Sequence, residues 1–64
     1  MSTKDGMLEP KEAPFTIHVN GVKRWTLQTA AQAAIYWRGL NLGMGYRATI
    51  RNNSGQLIAS RRGL

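Results

Sequence analysis

The side chains of this sequence that could do chemistry are mostly cationic. Residues 15–64 contain no Asp and no Glu, because the three carboxylates of the 64-residue chain lie within residues 1–14. Guanidinium groups bind phosphate and carboxylate oxygens through paired hydrogen bonds, and an uncompensated positive field attracts polyanions. We therefore expect an anionic macromolecule as the partner. The fixed positive charges of this segment are Lys23, Arg24, Arg38, Arg47, Arg51, Arg61 and Arg62.

Catalytic and metal-binding groups are scarce in the same segment. General acid–base catalysis most often uses positioned imidazoles or carboxylates, and residues 15–64 hold only His18 from these two classes. Ser54 and Ser60 have no Asp or Glu with which to form a catalytic triad. Zinc and magnesium sites need several Cys, His or carboxylate ligands. The sequence therefore predicts a protein that is not an enzyme and that uses no metal or other cofactor.

The first two predicted strands form a hairpin. Residues 15–19 alternate apolar and polar side chains, which is the pattern of a half-buried strand. The Asn20-Gly21 pair that follows is the strongest short signal for a hairpin turn. Residues 23–27 then form the return strand.

The register of this hairpin decides which side chains share a face. A two-residue turn would pair Ile17 with Arg24 and drive this arginine into the core. We therefore expect a bulged turn that pairs Ile17 with Lys23 and Phe15 with Trp25, since a one-residue slip exchanges the two faces. The predicted inner face holds Phe15, Ile17, Trp25 and Leu27, and the predicted outer face holds Thr16, His18, Val22 and Arg24.

A helix is predicted over residues 28–38, which are rich in alanine, the best helix former. Thr26 is the expected N-cap, because its hydroxyl can accept a hydrogen bond from a first-turn N–H. Gly39 is the expected C-terminal stop. The predicted apolar stripe consists of Leu27, Ala31, Ala34 and Ile35, widened by Ala30, Ala33 and Trp37.

Two more strands complete the expected fold. Residues 46–51 alternate again, residues 52–55 form a turn cluster, residues 56–60 form the last strand, and residues 61–64 are expected to fray. The element order β-β-α-β-β predicts an α+β fold with a four-stranded antiparallel sheet in the order 2-1-3-4. One helix covers one face of this sheet and leaves the other face bare.

The domain organisation follows from the same patterns. Residues 1–14 mix charges, glycine and prolines without a period, so we expect a flexible N-terminal tail. Residues 15–64 are expected to form a single small α+β domain.

The bare sheet face is the candidate nucleic-acid site. Arg47 and Arg51 lie four residues apart on one strand, and Arg24 is expected on the same side. Arginine forks suit phosphate oxygens, and sheet faces are used to bind RNA and single strands. A solvated polar face is the alternative, although mixed charge would serve solubility better. The predicted contact residues are His18, Lys23, Arg24, Arg47, Arg51, Arg61 and Arg62.

The same charges also fit a protein-interaction module that docks on an acidic host protein, as a small inhibitor or adaptor would. An exposed Trp37, flanked by Tyr36 and Arg38, would then be the interface anchor. A homodimer is a third possibility, because a core this small gains stability from association.

Two features that the sequence lacks indicate the cellular location of the protein. Cysteine is absent, and no apolar run is long enough for a signal peptide or a membrane span. We therefore expect a cytoplasmic protein that does not bind membranes. In size and element order, residues 15–64 are reminiscent of small proteins encoded by bacteriophages and mobile elements, which implies an accessory or regulatory role.

Overall fold

The computed structural model describes residues 8–63 and confirms the predicted α+β architecture. Its elements are β1 (Phe15–Val19), β2 (Val22–Leu27), α1 (Ala30–Gly39), β3 (Arg47–Arg51) and β4 (Leu57–Arg62). All neighbouring strands are antiparallel, and the sheet order is β2-β1-β3-β4, as expected. α1 covers the inner face of the sheet, and the opposite, outer face carries no helix among the described residues.

The core lies between the inner face and α1. Phe15, Ile17 and Ile50 are completely buried, whereas Thr16 and Thr49, each directly next to one of them in a strand, are only half-buried. The period of two in a strand produces this separation of the two faces. The other buried apolar side chains are Leu8, Leu27, Ala33, Trp37 and Ala48.

The β1–β2 turn has two residues, Asn20 and Gly21, with φ angles of 53° and 81°. Two successive left-handed residues form the mirror-image turn that matches the twist of a hairpin. Oδ1 of Asn20 also accepts a hydrogen bond of 2.9 Å from the backbone N–H of Arg47, which joins the turn to β3. The expected bulged turn is therefore wrong, and Val19 pairs with Val22.

The irregularity of the hairpin lies inside β2 instead. Ile17 pairs with Trp25 and His18 pairs with Lys23, so Arg24 is an extra residue between two regular pairs. A bulge restores the phase of a strand that would otherwise turn its side chains to the wrong face. The predicted register is thus wrong, but the predicted inner-face residues Phe15, Ile17, Trp25 and Leu27 do belong to the core or pack against it.

The helix begins later than expected. Thr29 is its N-cap, and the Thr29 hydroxyl accepts a hydrogen bond of 3.1 Å from the backbone N–H of Gln32. Thr26 cannot serve as a cap because β2 continues through Leu27. β2 ends at Leu27, as predicted for the return strand, and residues 28–29 precede the helix instead of forming its first turn.

The buried side of α1 is also rotated from the predicted stripe. Ala33 and Trp37 are the buried residues of the helix, whereas Ile35 is largely exposed. Because most positions on the buried side of the helix are alanine, the two sides of the helix differ little in hydrophobicity. The sequence pattern therefore assigns Ile35 to the buried side, whereas the structure exposes it. The stripe that meets the sheet is Ala30, Ala33, Ala34 and Trp37.

The segment before β1 packs on the domain from residue 8 onward. Leu8 is buried in the core, and a 3-10 helix follows at Pro10–Glu12. Asn53 of the β3–β4 turn donates a backbone hydrogen bond of 2.9 Å to the carbonyl of Glu12 and a side-chain hydrogen bond of 3.0 Å to that of Ala13. Residues 8–14 therefore do not form the expected tail; residues 1–7 lie outside the described residues.

We predict that Leu8→Ala lowers the free energy of unfolding by about 2 kcal/mol, because it removes a buried side chain from a small core. Urea denaturation followed by tryptophan fluorescence measures the change. The control is Met44→Ala, since Met44 is 82% exposed and its truncation should change stability by less than about 0.5 kcal/mol. Equal stabilities of the two variants would show that Leu8 does not belong to the core.

Candidate nucleic-acid interface

The outer face is built of cross-strand rows of cationic and hydroxyl side chains. The register places Lys23, His18, Thr49 and Ser60 in one row that crosses all four strands. Lys23 therefore occupies the outer-face position that the sequence had assigned to Arg24. Nδ1 of His18 is buried and has no hydrogen-bond partner among the described residues. This row offers donors of the kind that fix a phosphate backbone in register.

Arg47 and Arg62 form a second row, directly opposite each other on β3 and β4. Like charges at opposed positions of a sheet destabilise it. The pair borders a depression of about 450 Å³ that the hydroxyl-bearing Thr49 and Ser60 also line. Two guanidinium groups and two hydroxyls thus converge on a space that an anion can enter.

The carboxylates of the described residues do not neutralise this face. Glu9 forms the one ion pair of residues 8–63, with Lys11 at 3.8 Å. Glu12 accepts a long hydrogen bond of 3.4 Å from the side-chain amide of Asn52. Asn52 follows the end of β3, whereas Arg47 begins that strand, and so Glu12 lies at the opposite end of the strand from the pair of Arg47 and Arg62.

Arg51 is the fourth cation of the outer face, and it also has a structural contact. Its Nη1 donates a hydrogen bond of 2.8 Å to the carbonyl of Gly55, in the turn between β3 and β4. Arg51 pairs with Thr16 of β1 and is half-buried. Its guanidinium remains available for an anion only through the donors that the turn does not use.

Arg24 does not lie on the outer face, contrary to the prediction. Its guanidinium lies 5.9 Å from the ring centroid of Trp25, and it lines a groove on the α1 side of the sheet together with Tyr36. The bulge at this position explains the difference, because an extra residue breaks the simple alternation of faces.

Arg61 also lines the depression beside Arg47 and Arg62, but its guanidinium lies against α1 rather than on the outer face. It pairs with Ala48 on the inner face, and its guanidinium lies 5.6 Å from the ring centroid of Trp37. Nη1 donates a hydrogen bond to the carbonyl of Trp37, and Nη2 donates a longer one of 3.5 Å to that of Leu40. Arg61 therefore satisfies carbonyls at the C-terminus of α1, where a cation also complements the helix dipole.

The strand pattern contained the signal for this role. β4 extends to Arg62 rather than fraying after residue 60. Continuing its alternation by two residues places Arg61 inward and Arg62 outward. Arg61 therefore stabilises the fold through the end of α1, whereas its neighbour Arg62 is exposed on the outer face.

The three residues predicted for a protein interface also differ in exposure, since one is buried and two are exposed. Trp37 is buried, with 9% of its surface exposed, so it cannot be the exposed anchor that the sequence suggested. Its place in the core follows from the rotated helix stripe. Tyr36 is exposed, and Arg38 is exposed with its Nε donating a hydrogen bond of 3.4 Å to the carbonyl of Ala34.

Residues 8–63 contain no group of three or more His, Cys, Asp or Glu side chains that could hold a metal ion. None of their helices has the length and hydrophobicity that crossing a bilayer requires. Comparison of the chain with protein-family models, curated proteins and solved structures found no match.

We predict different effects for the two neighbouring arginines of β4. Arg61→Gln should lower the free energy of unfolding by about 1.5 kcal/mol, because the helix end loses charged hydrogen bonds and a favourable dipole contact. Arg62→Gln should leave stability unchanged or raise it by up to about 0.5 kcal/mol, since it removes an exposed cation together with its repulsion of Arg47. Urea denaturation of both variants tests this, and a larger loss for Arg62→Gln would contradict the assignment.

Proposed function

We propose that this protein is a small nucleic-acid-binding module that contacts phosphates through the outer face. The observation that carries the proposal is the opposed pair of Arg47 and Arg62, because a repulsive pair without a carboxylate is stabilised by a bound anion. The contact residues are Lys23, His18, Arg47, Arg51 and Arg62.

The arrangement of this face supports a polyanion rather than a single small anion. Lys23 and Arg47 lie on different strands in two neighbouring cross-strand rows, and the other residues of these rows are His18, Arg62 and the hydroxyl-bearing Thr49 and Ser60, with no acid among them. The net charge of +6 adds long-range attraction and fast association. Contacts to phosphates position a backbone without reading its sequence. An accessory or regulatory role, in which the protein coats or marks a nucleic acid, fits this chemistry.

Binding should depend steeply on salt. If about four phosphates are neutralised, the logarithm of affinity should fall with the logarithm of salt at a slope near −3.6 for duplex DNA and about −2.8 for a single strand, because counterions are released. Fluorescence anisotropy with labelled oligonucleotides across a salt series measures both slopes. Absence of binding at low salt, or binding that salt does not change, would contradict the proposal.

Charge position is tested with two matched double variants. Arg47→Gln with Arg62→Gln removes two charges from the outer face, and the duplex slope should become less steep by about 1.8. Lys11→Gln with Arg38→Gln removes two exposed charges elsewhere, and its slope should stay close to that of the unaltered protein. Equal losses in both variants would show that only net charge matters.

An acidic protein partner is separated from nucleic acid by affinity capture from lysate with and without nuclease. Loss of the captured material after nuclease treatment is the expected result. Retention of one acidic protein after that treatment, released by Arg47→Gln with Arg62→Gln, would assign the outer face to a protein instead.

A further inference from the structure

A second surface, on the α1 side of the sheet, has a different chemistry. An open groove of about 800 Å³ lies between β2, α1 and the segment 40–46. This volume is within the range of sites that hold organic ligands. We call it the aromatic groove, and the lining residues that matter here are Arg24, Trp25, Ile35, Tyr36 and Tyr46.

The rings of the aromatic groove are accessible. Tyr36 and Tyr46 expose 43% and 49% of their surfaces. Trp25 is half-buried, its ring centroid lies 6.1 Å from that of Tyr36, and the two planes are inclined by 58°. Arg24 lies over Trp25 and supplies a cation at the same place. Aromatic faces beside a guanidinium are the usual platform on which unpaired bases stack.

The outer face carries no Phe, Tyr or Trp residue on which a base could stack. All five Phe, Tyr and Trp residues of the chain are either buried in the core or line the aromatic groove: Phe15, Trp25, Tyr36, Trp37 and Tyr46. Phosphate-binding groups and base-binding groups therefore lie on opposite sides of the sheet. A single strand that uses both must pass around the boundary of the sheet.

The two surfaces meet at two points on this boundary. β2 is an edge strand that contains the consecutive residues Lys23 and Arg24. Lys23 lies on the outer face, and Arg24 lines the aromatic groove. Tyr46, in the groove, is followed by Arg47 of the outer face. At both points one residue step along the chain leads from a base-binding group to a phosphate-binding group.

We propose that the aromatic groove takes the unpaired bases of a single-stranded nucleic acid whose phosphates lie on the outer face. This inference rests on the function proposed above. A second copy of the chain fits the groove poorly, because it would bring a like-charged protein against Arg24. The charge of the groove suits an anion, and the continuity with Lys23 and Arg47 favours the strand already bound there.

The decisive probe is a pair of strands of equal charge. We compare oligo-dT of about twelve nucleotides, a length within the usual site size, with an abasic strand of the same length. Stacking of even one base should make the oligo-dT bind at least about fivefold more tightly. It should also quench the fluorescence of Trp25, while the buried Trp37 keeps its emission.

Variants locate the effect. Tyr36→Leu with Tyr46→Leu should remove most of the preference for oligo-dT over the abasic strand, because only the ring of Trp25 remains in the groove, and should leave abasic binding unchanged. The control is Val22→Ala, which truncates an exposed apolar side chain that lines neither the aromatic groove nor the depression beside Arg47, and it should preserve the preference. Arg47→Gln with Arg62→Gln should weaken both strands by the same factor.

The possible results separate this inference from the proposed function. Equal affinities for the two strands overturn the base-binding groove and leave phosphate binding intact, whereas binding of neither strand overturns both. A polyglutamate peptide is the third probe. If it binds through Tyr36 and Tyr46 while oligo-dT shows no preference over the abasic strand, the groove belongs to an acidic protein, and the inference is wrong.

Discussion

The fold depends on covering one face of a four-stranded sheet with a single ten-residue helix. Only Ala33 and Trp37 of that helix are buried, so the cover is narrow. Two contacts from elsewhere in the chain complete it. Leu8 extends the core from the N-terminal side, and Arg61 reaches from β4 to the carbonyls at the end of α1. In a domain of this size, a few such contacts are a large share of the total stability.

The sequence predicts the features of this fold that repeat with a fixed period. Alternation in β1 and β3 is enough to find the strands, the inner residues Phe15 and Ile17, and the outward arginines Arg47 and Arg51. The sheet order follows from two hairpins that flank a helix. Two features differ from the prediction because the sequence has no periodic signal for them. One is the bulge in β2 at Arg24, and the other is the rotation of the alanine-rich helix about its axis.

The candidate site shows the same division. Charge composition predicts a basic outer face, and Lys23, Arg47, Arg51 and Arg62 of the predicted contact set lie there. The guanidinium groups of Arg24 and Arg61, which belong to the same predicted set, lie against Trp25 and Trp37 instead. The sequence pattern does not reveal the contact of Arg61, because its partner Trp37 lies 24 residues away. The sequence does not predict the aromatic groove. The groove forms only where β2, α1 and Tyr46 meet in the fold, and none of these segments has a sequence pattern that indicates a binding site by itself.

The irregular pairing in β2 has a counterpart in β4, where the register shifts opposite Ile50 and Arg51. Both outer strands of the sheet therefore combine a bulge with two consecutive cations, Lys23-Arg24 and Arg61-Arg62. Bulges and charges of this kind hinder the backbone of one molecule from adding to the sheet of the next. Many copies of the protein can then reach a high local concentration without joining into a continuous aggregate.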